Sequence, residues 1–81
     1  MSKTVSIQYF AILRDEAGVS RENVETEAEN LTELYLQLAE QYKFSLPVER
    51  LQVALNDDFC DWGSSLNEKD RVVFIPPVAG G

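Results

Sequence analysis

Few residues in this chain can do chemistry unaided. It has no histidine and a single cysteine, Cys60, among 81 residues. No Cys/His couple, serine triad, metal cluster or disulfide can be assembled from that inventory. Cys60 falls beside a turn and reads as structural or incidental. The best remaining candidate for covalent work is the α-carboxylate of Gly81, which follows Pro76, Pro77, Val78, Ala79 and Gly80. The two prolines lack N–H groups and fix φ, so the apolar run Val72 to Ile75 cannot stay paired beyond Ile75. Gly80 and Gly81 carry no Cβ, so their backbone can thread a narrow channel. Six extended residues reach about 20 Å, enough to enter another protein's active site. A terminal Gly-Gly by itself is also what a frayed end looks like. Here it follows a stiff exit and carries no charged side chain, which a solvated tail usually has.

The bulk properties narrow the setting. The length suits one small domain with a single core, and 44% hydrophobic with 26% charged residues is the balance of an ordinary soluble globule. Fourteen acidic against seven basic side chains give a net charge of −7, which repels phosphate backbones and anionic lipid. Nucleic acid and membrane are therefore not expected partners. The acidic surface suits basic protein faces or serves solubility alone. With no apolar run near the roughly 20 residues of a membrane span and no leader pattern, the expected location is the cytoplasm.

The elements that must position the tail are legible in order. Residues 4–10 alternate as a first strand, with Val5, Ile7 and Tyr9 on one face and Ser6, Gln8 and Phe10 on the other. Ala11 to Ala17 reads as a short helix that buries Ile12 and Leu13, leaves Arg14 in water and ends at Gly18. Residues 21–27 make a charged, edge-like strand. The main helix is expected to open with Thr32 as N-cap and a Leu31/Leu36 staple, and to bury Leu34, Tyr35, Leu38, Ala39 and Tyr42. Leu51 to Leu55 is a third strand, turned by Asn56 to Asp58. Phe59 to Trp62 is a short return, and a polar turn over 66–70 leads to a last strand, Arg71 to Ile75. That strand is apolar on both sides and belongs inside the sheet.

Strands and helices in this order argue an α+β domain spanning residues 1–75, with residues 76–81 as an extended tail. One helix covers one sheet face. The other face then carries Phe10, Ile75 and Phe59, and exposed apolar groups of that size mark an interface unless the short helix or a loop covers them.

The strand leading into Phe10, Ala11, Leu13, Arg14 and Gly18, the helix near Thr32, the residues Leu66, Asp70, Val72 and Phe74, and the ending Pro76 to Gly81 resemble the MoaD/ThiS family of ubiquitin-like sulfur carriers. Within it, the small subunits of molybdopterin synthase match best. The resemblance covers essentially the whole chain and is most specific in Pro-Pro-Val-Ala-Gly-Gly. It implies a β-grasp fold with the first and last strands parallel at the sheet centre. It also implies that Gly81, led by Gly80, is adenylated by a MoeB-like activating enzyme using ATP and Mg, converted to a thiocarboxylate by a sulfur donor protein, and inserted into a MoaE-like large subunit. There its sulfur passes to cyclic pyranopterin monophosphate. The resemblance further implies that Phe10, Phe59 and Ile75, with Arg14 as a polar contact, form the docking surface for that subunit, and that Pro76, Pro77, Val78 and Ala79 line its channel. A heterotetramer of two small and two large subunits is the family's assembly. The chain itself is expected to bind no cofactor or metal. Ile75 departs from relatives that carry an aromatic residue there, which keeps the patch apolar but alters its shape.

Three other readings use the same features. A sulfur carrier for thiamine thiazole synthesis shares the Gly-Gly end. A ubiquitin-like modifier shares the activation and differs in its acceptor, a lysine amine. A noncovalent binding module needs only the apolar sheet face and tolerates an added residue after Gly81.

Overall fold

A computed structural model describes residues 2–77. Along these the chain forms β1 (Lys3–Tyr9), α1 (Ala11–Ala17), β2 (Arg21–Thr26), α2 (Leu31–Tyr42), a 3-10 turn (Val48–Arg50), β3 (Gln52–Leu55), β4 (Asp58–Phe59) and β5 (Arg71–Ile75). The strands make one sheet in the order β2-β1-β5-β3-β4. β1 and β5 run parallel, whereas β1 with β2, β3 with β4 and β3 with β5 are antiparallel. The most apolar strand is thus central, flanked by β1 and β3, and the architecture is the expected α+β β-grasp.

Alternation in β1 and β5 decides what lies under α2. Val5, Ile7 and Tyr9 pair across to Val24, Val72, Phe74 and their neighbours, and these positions face the helix. Leu31, Leu34, Tyr35 and Leu38 of α2 fill the space above them, and all four are buried. Helical spacing at 31, 34, 35 and 38 puts them on one stripe, which is why burying that stripe stabilises both elements together. The filling is largely aromatic. Phe74 stacks on Trp62 at 5.8 Å between centroids and meets the edge of Tyr35 at 5.2 Å. Offset and edge contacts of this kind add about 0.5–1.5 kcal/mol per pair beyond area burial.

Polar groups close the ends of that core. Glu22 of β2 accepts hydrogen bonds through one carboxylate oxygen from the Tyr9 and Tyr42 hydroxyls, each at 2.6 Å, so one residue ties β1, β2 and α2 together. The Tyr35 hydroxyl donates to the Leu46 carbonyl at 2.6 Å, holding the loop that follows α2.

Several local expectations are corrected. The N-cap of α2 is Asn30, not Thr32: its side-chain oxygen accepts the Glu33 N–H at 2.9 Å, and the Glu33 carboxylate accepts the Glu29 N–H at 2.8 Å. Starting the helix two residues earlier lets Leu31 enter the core as its first helical residue. Thr32 instead donates its hydroxyl and its N–H to the Trp62 carbonyl. Leu36 is 56% exposed, so the Leu31/Leu36 staple does not form. Ile12 is also exposed, and α1 buries Leu13 alone. The return strand is Asp58–Phe59 rather than Phe59 to Trp62, because Asn56 and Asp57 both take positive φ and turn the chain within two residues. Among the described residues, no helix is long and apolar enough to cross a membrane.

Candidate docking face and C-terminal exit

The register places the residues on the sheet's other face side by side. Gln8 pairs with Val73, Val73 with Ala54, and Ala54 with Phe59, which makes one row across four strands. Gln52 pairs with Ile75 in the next row. Residues that are directly opposite on one face have Cβ atoms about 4.5–5.5 Å apart, so Val73, Ala54 and Phe59 form a continuous apolar strip beside Ile75. Phe59 is 70% exposed and Ile75 is half-buried. Ala54, between them, is buried.

Phe10 is placed differently from the way strand parity suggests. It lies outside β1, in extended conformation at the N-cap position of α1. The parallel ladder ends with Tyr9 paired to Phe74, so Phe10 and Ile75 are the residues that follow its last pair. Ala11 then takes a φ of +52°. A left-handed alanine costs roughly 1–2 kcal/mol, and here it opens α1 directly after Phe10, which is 42% exposed. Arg14 is exposed on α1, one helical turn on from Phe10, and its carbonyl accepts the Gly18 N–H that ends the helix.

β5 leads straight to the exit. Its start is pinned by a polar clamp: Asn56 accepts the Arg71 N–H through its side chain at 2.9 Å and donates its own N–H to the Arg71 carbonyl at 2.8 Å. Asp70, which is buried, accepts from the Asn56 amide at 3.0 Å and from the Asn67 N–H at 2.7 Å. The strand ends at Ile75, Pro76 is buried and Pro77 is exposed. Val78, Ala79, Gly80 and Gly81, the other expected site residues of the tail, lie outside the described residues.

Among the described residues, the thiol and the carboxylates do not assemble a nucleophilic or metal site. Cys60 is half-buried with its N–H on the Val53 carbonyl, and burial pushes its thiol up from the usual range. A thiol held in its protonated form is a poor nucleophile. No group of three or more His, Cys, Asp or Glu side chains is placed to hold a metal ion among the described residues.

Reading from residues missed two features of this face. Arg71 opens the most apolar strand and Arg21 sits opposite Gln8, so both guanidiniums stand on the open face. Their signal was available, since each heads a run of alternating residues whose parity assigns its side. Asn56 carries in sequence only the signature of a turn, because a side chain that also holds a distant strand has no local signature.

A five-stranded sheet with its first and last strands parallel at the centre, one long helix across one face and an apolar strip on the other is a ubiquitin-like domain. The chain belongs to the ThiS family, which it matches over residues 7–81. It is 29% identical over 80 residues to the molybdopterin synthase sulfur carrier subunit of Haemophilus influenzae, spanning 95% of this chain and 99% of that relative. It is also similar to a chain in the solved complex of subunits 1 and 2 of the molybdopterin-converting factor from Helicobacter pylori. That match has a TM-score of 0.65 at 28% identity, and it covers 96% of this chain and 99% of the other. The fold alone is shared with SAMP1 of Haloferax volcanii, at a TM-score of 0.79 and 19% identity over 96% of this chain and 99% of that one.

Proposed function

We propose that this protein is the sulfur carrier subunit of molybdopterin synthase. The observation that carries the reading is that the family match runs through residue 81 and so includes the Pro-Pro-Val-Ala-Gly-Gly segment. The likeness to the Haemophilus influenzae subunit supports the choice of pathway over thiamine thiazole synthesis.

The chemistry follows from the carboxyl group. An α-carboxylate with a pKa of about 3.5 is ionised at neutral pH and is a poor electrophile. A carboxylate oxygen of Gly81 attacks the α-phosphorus of ATP on the activating enzyme, releasing pyrophosphate and forming an acyl adenylate. Hydrosulfide delivered by the sulfur donor then attacks the acyl carbon, the bond to AMP breaks, and the C-terminus is left as a thiocarboxylate with AMP as the leaving group. The domain of residues 1–75 docks on the large subunit through Phe10, Phe59 and Ile75, and the tail carries the sulfur into that subunit's pocket. Two such deliveries build a dithiolene on cyclic pyranopterin monophosphate. The chain thus supplies sulfur and reach, while the activating enzyme uses the ATP and Mg and the large subunit binds the pterin.

The test is the intact mass after incubation with ATP, magnesium, the activating enzyme and a sulfur source. Exchange of one carboxyl oxygen for sulfur adds about 16 Da to the acyl group at issue. The gain must require ATP and disappear when Gly81 is deleted, which separates it from oxidation. No gain with competent partners overturns the reading. Stable amide conjugates to other proteins at ordinary abundance would favour a modifier instead.

A further inference from the structure

Beside the apolar strip the open sheet face changes character. Towards β2 it sinks into a depression of about 460 Å³ lined by Ser6, Gln8, Arg21, Asn23, Arg71 and Val73. The register explains the grouping: Asn23, Ser6 and Arg71 form one row across β2, β1 and β5, and Arg21, Gln8 and Val73 form the next. Two of the seven basic side chains of a chain with net charge −7 therefore line one hollow. The Ser6 hydroxyl donates to the Asn23 side-chain oxygen at 2.9 Å, which leaves the Asn23 amide N–H groups to donate elsewhere. Two carboxylates also border the hollow. Glu22 is committed to Tyr9 and Tyr42 on the helix-covered side. Asp57 pairs with Arg71, but both side chains are largely exposed, and such surface pairs are worth little and exchange easily.

We propose that this depression, formed around Arg21 and Arg71, is the polar half of the docking face and receives carboxylate side chains of the protein that seats on the apolar strip. The proposal rests on the docking reading above and specifies the partner's chemistry. Two observations support it. Val73 lines the hollow and also belongs to the Val73, Ala54 and Phe59 strip, so a partner covering one reaches the other. Arginine also presents a planar fork of donors that matches a carboxylate bidentately, which sets register as well as attraction. The sign of the expected effect is informative. A strongly acidic chain is drawn to a basic partner by its overall field, so removing a positive charge at random speeds association. Removing one that meets a partner carboxylate slows it.

The experiment measures association and dissociation of the full-length protein with the molybdopterin synthase large subunit from the same source, at about 50 mM and about 500 mM salt, where screening differs strongly. The proteins compared are wild type, Arg21→Gln, Arg71→Gln, the double variant, Arg50→Gln as a control outside the hollow, and Phe59→Ser, after equal melting temperatures show each is folded. The double variant is expected to associate roughly tenfold more slowly at low salt, with most of that difference closing at high salt. Arg50→Gln is expected to match wild type or exceed it. A double variant that associates as fast as wild type, while Phe59→Ser is impaired, overturns the carboxylate contact and leaves the docking reading standing. Equal binding by wild type, Phe59→Ser and the double variant places the interface elsewhere and overturns both.

Discussion

The two faces of this sheet come from the same five strands by simple alternation, yet they are built on opposite principles. On the covered face Tyr9, Phe74, Val72 and Val53 are all but inaccessible and interlock with the α2 stripe. On the open face the same strands leave Gln8, Val73 and Ile75 half-buried around a buried Ala54, with Phe59 standing almost free at the edge. The first arrangement stores stability in packing. The second leaves apolar area uncovered, which costs nothing in folding that α2 has not already offset and keeps that area available for a partner. The lesson is that substitutions on the two faces should separate folding from docking.

The largest effect is expected on the covered face. Phe74→Ala removes a ring in contact with Tyr9, Tyr35 and Trp62, and large-to-small changes of this kind cost about 3–5 kcal/mol. Denaturant unfolding followed by tryptophan fluorescence measures it directly. A loss under about 1 kcal/mol would mean that the aromatic cluster is not the core that holds the sheet to the helix.

Next comes the bridge between them. Glu22→Ala strips the acceptor from two tyrosyl hydroxyls at once, and hydrogen bonds to charged groups are worth about 1.5–3 kcal/mol each at most. Tyr42 is half-buried and regains water, so the expected loss is about 2–3 kcal/mol by the same measure. Glu22→Gln, which keeps an acceptor oxygen, should recover part of it. Equal losses in the two variants would show that the side chain's packing matters and its hydrogen bonds do not.

A milder probe of the covered face is alkali. Burial and, for Tyr42, the hydrogen bond to Glu22 push the Tyr35 and Tyr42 phenols up to about 12 from 10.0, and Tyr9 is raised further for the same reasons. A phenol whose pKa is raised by folding binds its proton more tightly in the native state. Its contribution to stability is therefore intact below pH 10 and is lost as pH climbs through 10 towards 12 and beyond. All three tyrosines of the chain share this shift. Tyrosinate absorbance should thus stay silent through pH 10 and rise together with unfolding, and a tyrosinate signal at pH 10 with the fold intact would refute the packed arrangement.

What could be read in advance divides along the same line. The covered face announces itself, because Val5, Ile7 and Tyr9 alternate and Leu34, Leu38 and Tyr42 recur at helical spacing. These periodicities arise directly from burying one side of a strand or helix. The central place of β5 was legible for a related reason, since only an interior strand is apolar on both sides. The helix start was not. Asn30 and Thr32 are both competent caps, and the choice between them is made by Leu31, whose side chain must reach a core that is assembled from residues far along the chain. Strand parity extends the first strand through Phe10, whereas β1 stops at Tyr9, because the left-handed turn at Ala11 that ends it is carried by a residue with no preference for that conformation. The hollow between Arg21 and Arg71 needs the pairing of β2, β1 and β5, which is a property of topology rather than of any one stretch.

The smallest effect on stability is expected where the docking effect is greatest. Phe59→Asp alters a side chain that is 70% exposed on a two-residue edge strand. Its ring meets solvent in the free protein, so little apolar area is returned to water, and surface changes of this sort fall within about 0.5 kcal/mol. Its neighbour Asp58 is already exposed, so the added charge brings only screened repulsion. In a complex the same carboxylate would be buried against apolar surface without a partner, at a penalty of about 1–3 kcal/mol or more for a charged group. The variant should therefore melt like wild type and yet bind the large subunit at least tenfold more weakly. A variant that unfolds would show that Phe59 closes the β3–β4 hairpin, and one that melts and binds normally would move the interface off this end of the sheet. Only unchanged melting with weakened binding is consistent with a sheet whose two faces divide folding from docking.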